Sequence, residues 1–285
     1  MERSLSTIQY DALVRDTLSE DLGRGGDITG MGLLDAKQRI SASFVGRHEG
    51  VLAGLEVALH TFRLMDPSIE ISIVKHDGAE LKKGDEIARV RGSARSIVAA
   101  ERTALNFLCQ LSGVSTLTAK FAKTIAHTTA KIAATRKTVP GLRALQKYAV
   151  EVGGGLPHRF GLDDAVLIKD NHIAAVGSVK EAIRRARVAA GHMRVIEVEV
   201  DTLEQLKEVL GEGGVHAVLL DNMSPEMLRK AVALVDRRCI TEASGGVTLA
   251  TVKEIAESGV DVISTSAVTQ SAPALDIGLD VVNEA

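Results

Sequence analysis

The chain has few aromatic residues and few cysteines, which excludes several classes of protein. Among its 285 residues there is no tryptophan, and tyrosine and cysteine each occur twice. Proteins that bind nucleic acid usually combine stacking aromatic side chains with a basic surface, whereas the formal net charge here is -3. Cys109 and Cys239 have no histidine or cysteine partner at metal-ligand spacing. The sequence therefore predicts no nucleic-acid partner, no zinc site and no disulfide framework.

Long hydrophobic runs are also missing. No apolar segment approaches the roughly 18 residues that a membrane-spanning helix needs. The first residues, MERSLSTIQY, lack the basic and apolar regions of a signal peptide. Hydrophobic residues nevertheless make up 45% of the chain, enough to bury a substantial core. We expect a globular cytoplasmic protein that has no membrane partner and binds small anions.

Cations are concentrated between residues 135 and 172. A lone basic run is most often the solvated face of a helix. Here Arg136 and Lys137 follow one apolar run and Lys169 closes another, so these charges lie where strands end. In a slightly acidic protein, such a concentration indicates anionic ligands. The cluster comprises Arg136, Lys137, His158, Arg159, Lys169 and His172.

The first part of the chain reads as a small sheet domain. Helical spacing over residues 7–20 is followed by a glycine-rich loop, and helical spacing returns over residues 94–111. Between these helices the pattern predicts short strands at residues 41–52, 69–75 and 86–90. A change in composition near Ser112 and Gly113 places the predicted domain boundary between residues 111 and 112.

The remainder alternates strand and helix. This alternation predicts a parallel sheet covered by helices, as a closed barrel or an open doubly wound sheet. The predicted strands are residues 131–135, 165–169, 194–200, 216–220, 238–241 and 261–265. The predicted helices are residues 142–152, 178–190, 203–210, 225–235 and 248–258. Nearly every strand ends in polar or charged residues, which favours the barrel because all strand ends then meet at one rim.

The strand RVIEVEVD indicates which residues face the inside of this barrel. Alternation places Glu197 and Glu199 on the face opposite to the apolar residues that contact the helices. Buried carboxylates require cations as partners, and Lys137 and Lys169 are available at neighbouring strand ends. Glu197 lies deeper, where an ion-pair role is as good an interpretation as a catalytic one. Glu199 and Asp221 form a carboxylate pair suited to Mg²⁺ that carries a phosphorylated substrate.

A phosphate site is predicted at Ser244, Gly245 and Gly246. They stand after a strand and before a predicted helix, so exposed backbone N–H groups and the helix dipole would hold a phosphate. Late strands of a barrel are the usual location of such a site. Ser264 and Ser266, in the loop STSAVT, would supply further donors.

Several segments together resemble one family, the decarboxylating quinolinate phosphoribosyltransferases, also called nicotinate-nucleotide pyrophosphorylases, of NAD biosynthesis. They are EDLGRGGDIT, AERTALNFLCQLSGVST, TRKTVPGLRALQKYAVEVGGG, HRFGL, LIKDNH, EVEVDTLEQ, LLDNM, EASGG and LDIGLD. The resemblance covers almost the whole chain. It implies an N-terminal α+β sandwich domain (residues 1–111, completed by 270–285) and an open seven-stranded (β/α) barrel (residues 112–269). It also implies a homodimer with a shared active site, with further assembly left open.

The resemblance further implies a reaction and a role for each matched residue. Quinolinate and phosphoribosyl pyrophosphate would give nicotinate mononucleotide, pyrophosphate and CO₂, with Mg²⁺ held by Glu199 and Asp221. Arg136, His158, Arg159 and Lys169 would hold quinolinate, joined by Arg102 of the neighbouring subunit. Lys137, Glu199 and Asp221 would contact phosphoribosyl pyrophosphate, and Ser244, Gly245 and Gly246 its 5′-phosphate.

The chain departs from the family pattern at two positions, and three other functions remain open. Pro157 stands where the family usually has asparagine, and Ser266 stands where glycine is common. A related family associated with molybdenum transport carries a variant similar to Leu-Pro-His-Arg, although LIKDNH and TRKT are intact here. A sugar-phosphate lyase with Lys137 or Lys169 as Schiff-base nucleophile is a second alternative. A non-catalytic anion-binding protein is the third.

Overall fold

A computed structural model describes residues 5–282, which fall into two units. The first unit contains the described residues up to Ala119, then Val139–Gly153 and the segment from Ala272 onward. The second contains Lys120–Thr138 and Gly154–Ser271. The boundary predicted between residues 111 and 112 falls inside one long helix, Ala94–Thr124. Residues 1–4 and 283–285, which the predicted first domain includes, lie outside the described residues.

The helices follow a short 3₁₀ turn at Thr7–Gln9. They are α1 (Asp11–Leu22), α2 (Ile28–Leu33), α3 (Leu55–Met65), α4 (Ala94–Thr124), α5 (Arg143–Val152), α6 (Asp170–Val176), α7 (Val179–Ala190), α8 (Leu203–Glu212), α9 (Pro225–Val235), α10 (Val252–Ala256) and α11 (Ala267–Gln270). No helix between residues 5 and 282 is both long and apolar enough to cross a membrane.

The strands are divided between the two units. They are β1 (Arg39–Gly46), β2 (Gly50–Val51), β3 (Glu70–Ile73), β4 (Glu80–Leu81), β5 (Glu86–Ser93), β6 (Lys131–Ala133), β7 (Val166–Ile168), β8 (Ile196–Val200), β9 (Ala217–Asp221), β10 (Ile240–Ser244), β11 (Val262–Ser264) and β12 (Ile277–Val282).

The first unit is built on an antiparallel sheet of order β12-β1-β5-β3. Its core contains Phe44 of β1 and Phe62 of α3, whose rings meet edge to face at 5.7 Å. Strand β12 pairs with β1 along six residues, so a C-terminal segment completes the sheet that the N-terminal strands begin. Helix α5 also belongs to this unit, although the sequence placed residues 142–152 in the barrel.

The second unit contains a parallel sheet of order β6-β11-β10-β9-β8-β7. Each strand predicted for the barrel is present. Most appear in the sequence as short apolar runs, as expected for strands buried on both faces, whereas β8 alternates apolar and acidic residues. A seventh extended segment is reduced to a single residue, Leu156, which forms a parallel bridge to Ala133 of β6. The architecture is therefore the predicted open α/β barrel, with six full strands and one bridge.

Some local predictions are wrong. The predicted glycine-rich loop included residues 28–30, which instead begin α2, where the Asp27 carboxylate accepts a hydrogen bond from Gly30 N–H at 2.9 Å. Helix α3 lies in a segment expected to hold only strands. The helix predicted at residues 248–258 begins only at Val252. Gly245 and Gly246, at φ of 90° and 61°, first carry the chain through a left-handed turn that glycine adopts without steric penalty.

Candidate active site

One face of the barrel sheet carries four of the predicted site residues, Glu199, Asp221, Ser244 and Ser264. The strand register pairs Glu199 of β8 with Leu219 of β9, and Leu219 with Glu242 of β10. Residues two positions further along each strand lie on the same face. A second row at the carboxyl ends therefore contains Asp221 and Ser244, which are paired directly, and then Ser264.

An ion pair connects two neighbouring strand ends in this face. Lys169 follows β7 directly, and its Nζ lies 2.5 Å from Glu199 Oε2 on β8. The Lys169 side chain remains 45% exposed, so its ammonium retains donors for a ligand. This contact confirms the predicted pairing of a barrel carboxylate with a lysine from the next strand.

A histidine and two buried glutamates meet deeper in the barrel. His158 Nε2 lies 3.3 Å from Glu242 Oε1 and 3.7 Å from Glu197 Oε2. Both glutamate side chains are at least nine-tenths buried, and Glu242 Oε1 and Glu197 Oε1 have no hydrogen-bond partner among the described residues. His158 adopts a φ of 55°, in the left-handed region that few non-glycine residues occupy.

The three ligand atoms are close enough to surround a metal ion, because all lie within 4.8 Å of one another. The hydrogen bonding of His158 argues for a different arrangement. Its Nδ1 accepts the backbone N–H of Arg159 at 2.7 Å, which places the proton of the neutral imidazole on Nε2. An Nε2 that carries the proton of the neutral imidazole has no free lone pair for a metal ion.

Burial changes the chemistry of Glu197. Its burial, and then the nearby Glu242, raise the pKa of the Glu197 carboxyl from 4.5 to about 7. Between pH 4.5 and about 7, the folded protein therefore keeps a proton on this carboxyl that the unfolded chain has released. The resulting stabilisation is complete below the unfolded pKa and is lost as pH rises through about 7.

Replacing Glu197 with glutamine is expected to remove this pH dependence. The free energy of unfolding of the wild type should fall relative to Glu197→Gln by about 3 kcal/mol between about pH 5 and 8. Urea unfolding of both proteins in magnesium-free buffer measures the difference. Glu181→Gln is the matched control, because the hydrogen bonds from Arg184 and Arg185 lower the pKa of Glu181 to about 2. The free energy of unfolding of Glu181→Gln should differ from that of the wild type by a constant amount over this pH range. A constant difference for Glu197→Gln as well would contradict a raised pKa of Glu197.

Two arginines, Arg136 and Arg159, lie close enough near the histidine for their charges to repel. Burial, and then the neighbouring Arg136, lower the pKa of the Arg159 guanidinium. Arg136 Nε is buried and has no hydrogen-bond partner among the described residues. Arg159 Nη1 donates to the backbone oxygen of Ala165 at 3.1 Å, which fixes the direction of its guanidinium. The pair thus presents half-buried guanidinium donors that an anionic ligand could accept hydrogen bonds from.

Asp221 lies among other carboxylates at the rim. Its burial, followed by the charges of Glu199 and Asp201, raises the pKa of the Asp221 carboxyl. Asn222 Nδ2 donates to Asp221 Oδ2 at 2.6 Å. Mutually repelling carboxylate oxygens are the hard donors that magnesium prefers, so the residues predicted to hold Mg²⁺ have the appropriate chemistry.

The predicted phosphate loop lies at the end of β10. Ser244 ends the strand and is half-buried, Gly246 is exposed, and both glycines have positive φ. The prediction that a helix begins directly after Gly246 is wrong, because α10 starts at Val252. Backbone N–H groups of the loop, without a helix dipole, are the donors available here. Ser264 is buried in β11, whereas Ser266 is half-buried just before α11.

The remaining predicted residues lie on exposed positions. The backbone of Lys137 is held on both sides, since its N–H donates to Thr135 Oγ1 at 3.0 Å and its oxygen accepts from Thr269 Oγ1 at 2.8 Å. Its side chain is exposed. Arg102 belongs to the first unit and is exposed on α4. His172 lies in α6, where its Nδ1 accepts from Lys169 N–H at 3.0 Å.

The sequence interpretation overlooked two residues of this site. Glu242 and Asn222 lie at polar strand ends but are not among the predicted site residues. Alternation along β10 could have placed Glu242 on the same face as Ser244, as it did for Glu197 and Glu199 on β8. Nothing local indicates that Asn222 reaches the phosphate loop, because that contact depends on the pairing of β9 with β10.

The chain is similar over nearly its whole length to characterised families and structures. The family model described as quinolinate phosphoribosyl transferase, N-terminal domain, matches residues 27–112, and the corresponding C-terminal domain model matches residues 114–280. The nicotinate-nucleotide pyrophosphorylase (carboxylating) of Mycobacterium leprae (strain TN) is 44% identical over 288 residues, covering 97% of this chain and 100% of that protein. The probable enzyme of the same name from Bacillus subtilis (strain 168) is 41% identical, covering 97% and 95%. The crystal structure of NadC from Streptococcus pyogenes superposes with a TM-score of 0.94 at 38% identity, covering 99% of this chain and 100% of that one.

Proposed function

Because the chain belongs to the quinolinate phosphoribosyltransferase family, we propose that it joins quinolinate to phosphoribosyl pyrophosphate in NAD biosynthesis. The products are nicotinate mononucleotide, pyrophosphate and CO₂, which makes the protein a decarboxylating pentosyltransferase. A cytoplasmic location and a homodimer, open to further assembly, are parts of the same proposal.

The observation that carries this proposal is the pair of arginines beside His158. Arg136 has a buried Nε without a hydrogen-bond partner among the described residues, and burial followed by the charge of Arg136 lowers the pKa of the Arg159 guanidinium. A dicarboxylate would relieve both problems, since two carboxylates can each accept hydrogen bonds from a planar guanidinium. Lys169, whose ammonium is partly exposed, would complete the contacts to quinolinate within this unit. His158 orients the chain at Arg159 through its Nδ1.

Phosphoribosyl pyrophosphate would span the second row of the barrel face. The loop Ser244–Gly246 would bind the 5′-phosphate, and Lys137 would reach the pyrophosphate from its fixed backbone position. Glu199 and Asp221 would hold Mg²⁺, and Glu199 would also keep its contact with Lys169. When bound, the magnesium ion would neutralise part of the charge of the departing pyrophosphate.

The two chemical steps follow from these positions. The pyridine nitrogen attacks the anomeric carbon of the ribose while the bond to pyrophosphate breaks. Glu199 and Asp221 stabilise the positive charge that develops on the ribose, and Lys137 stabilises the charge on the leaving group. The ring nitrogen is then formally positive, so the electron pair of the bond to the 2-carboxylate can remain on C2 as CO₂ leaves. C2 finally takes a proton in place of CO₂.

A substrate panel tests the proposal. Purified protein, Mg²⁺ and phosphoribosyl pyrophosphate are incubated with quinolinate or with nicotinate, and the mononucleotide is quantified by chromatography. We expect product from quinolinate only, and only when magnesium is present. Product from nicotinate would assign the chain to a non-decarboxylating reaction. Binding of ligands without turnover would favour a non-catalytic anion-binding protein, and covalent trapping of a sugar phosphate by borohydride would favour a Schiff-base lyase.

A shared active site predicts complementation between inactive subunits. Arg102→Ala and Lys137→Ala homodimers should each be inactive, because each lacks one contact to a substrate. Random mixing gives half heterodimers, each with one intact site, so activity should return to roughly a quarter of wild type. Unfolding, mixing and refolding of the two variants, followed by an activity assay, measures this. Arg102→Ala mixed with Arg102→Ala/Lys137→Ala is the control that should stay inactive, and failure of the first mixture to recover would contradict a shared site.

A further inference from the structure

Asn222 connects Asp221 and Ser244, two neighbouring members of the second row at the carboxyl ends of the strands. It follows Asp221, the last residue of β9, and its N–H donates to Ser244 O of β10 at 2.9 Å. Its φ of 52° lies in the left-handed region. Asparagine tolerates this region better than most residues, but the conformation persists only where surrounding contacts enforce it.

The side chain of Asn222 contacts both neighbours with its two polar ends. Its Nδ2 donates to Asp221 Oδ2 at 2.6 Å. Its Oδ1 lies against Gly245, where a Cβ would collide with it. Gly245, at a φ of 90°, is therefore required both by its own backbone and by the asparagine that fills the space beside it.

We infer that Asn222 is a positioning residue that holds the carboxylate of Asp221 and the loop Ser244–Gly246 at a fixed separation, selecting ligands that carry phosphate at both ends of a pentose. The inference rests on the proposed function. Three contacts of one residue, through its N–H, Nδ2 and Oδ1, connect these two groups. No role in binding or catalysis is required of Asn222 itself.

The physical consequence is an advantage for the intact ligand over its fragments. When two sites are held at the correct distance, the second contact of one ligand forms without a further loss of translational freedom. Phosphoribosyl pyrophosphate would gain this advantage, whereas ribose 5-phosphate and pyrophosphate would each occupy one end. Loosening the connection should therefore weaken the binding of the intact ligand more than that of either fragment.

Asn222→Gly tests the inference, since glycine keeps the left-handed backbone and removes both side-chain contacts. Calorimetry with Mg²⁺ measures the Kd of phosphoribosyl pyrophosphate, ribose 5-phosphate and pyrophosphate. We expect the Kd of the intact ligand to rise about tenfold and those of the fragments to change less than about twofold. The KM for quinolinate should stay unchanged. Asp236, at the end of α9, has a comparable φ of 47°. Asp236→Gly is therefore the matched control, and it should alter none of these Kd and KM values.

Asn222→Asp keeps the side-chain shape at Gly245 but replaces the donor to Asp221 with a carboxylate. This variant should raise the KM for phosphoribosyl pyrophosphate and leave the KM for quinolinate unchanged. It tests the inference independently if Asn222→Gly fails to fold. Equal weakening of the intact ligand and its fragments, or no weakening in either variant, would overturn the inference alone. A wild-type protein that binds none of the three phosphorylated ligands would overturn the proposed function as well.

Discussion

Arg136→Ala is expected to raise the KM for quinolinate about 100-fold, without lowering the stability of the ligand-free protein. Truncating one partner of a buried, hydrogen-bonded charge pair commonly costs about 2–5 kcal/mol of binding free energy. In the ligand-free protein, however, Arg136 Nε has no hydrogen-bond partner within residues 5–282, and the charge of Arg136 lies near Arg159. Its removal relieves repulsion, so the thermal unfolding temperature should stay the same or rise. Steady-state kinetics and thermal unfolding of the same preparation measure both effects.

Two further variants separate charge from geometry. Arg136→Lys keeps the charge but loses the planar fork, so we expect it to recover only part of the activity. Arg229→Ala, on the exposed face of α9, removes an arginine away from the barrel cluster and should leave the KM unchanged. If Arg136→Ala lost stability in parallel with activity, Arg136 would be a structural residue and not a substrate ligand.

Glu199→Gln is expected to lower kcat by about 10²–10³, because it removes a preorganised charge from the developing positive ribose. It also removes one of the two proposed magnesium ligands and the charge that pairs with Lys169 at 2.5 Å. The dependence of the rate on magnesium concentration should therefore shift to higher concentrations. The Kd for quinolinate should change by no more than about twofold, since Lys169 keeps its own charge for this ligand.

Glu204→Gln provides the matched control for this variant. Glu204 is exposed in the first turn of α8, the helix that follows the same strand, so its loss should not change kcat. An unchanged kcat in Glu199→Gln would remove this carboxylate from the mechanism. A large rise in the Kd for quinolinate would instead place Glu199 in the dicarboxylate site.

The barrel strands were predictable because their signal is local, whereas several helices were not. Runs such as AVLL before Asp221 identify a buried strand without any knowledge of its neighbours. Helix α3 was overlooked although Leu55, Leu59 and Phe62 repeat with helical spacing. Its start has no local cap, because the backbone N–H groups of Gly54 and Leu55 donate to Asp77, which is distant in sequence. A cap supplied by a remote residue leaves no signature at the helix itself.

The candidate site shows the same division between local and remote signals. Arg136, Lys169 and Asp221 could be selected because each stands at the end of an apolar run. The position of Glu242 beside His158 could not, because it requires the left-handed backbone of His158 and the approach of two separate chain segments. The prediction of a helix directly after Gly246 was wrong for a related reason. Gly245 and Gly246 both have positive φ, and α10 begins only at Val252.

Quinolinate labelled with ¹³C in its 2-carboxyl group tests the central claim most directly. The protein is incubated with this substrate, phosphoribosyl pyrophosphate and Mg²⁺, and the CO₂ and mononucleotide are analysed by mass spectrometry. We predict one labelled CO₂ for each unlabelled nicotinate mononucleotide formed. Label retained in the mononucleotide, or no mononucleotide from folded protein, would contradict the assignment of a decarboxylating phosphoribosyl transfer to this barrel.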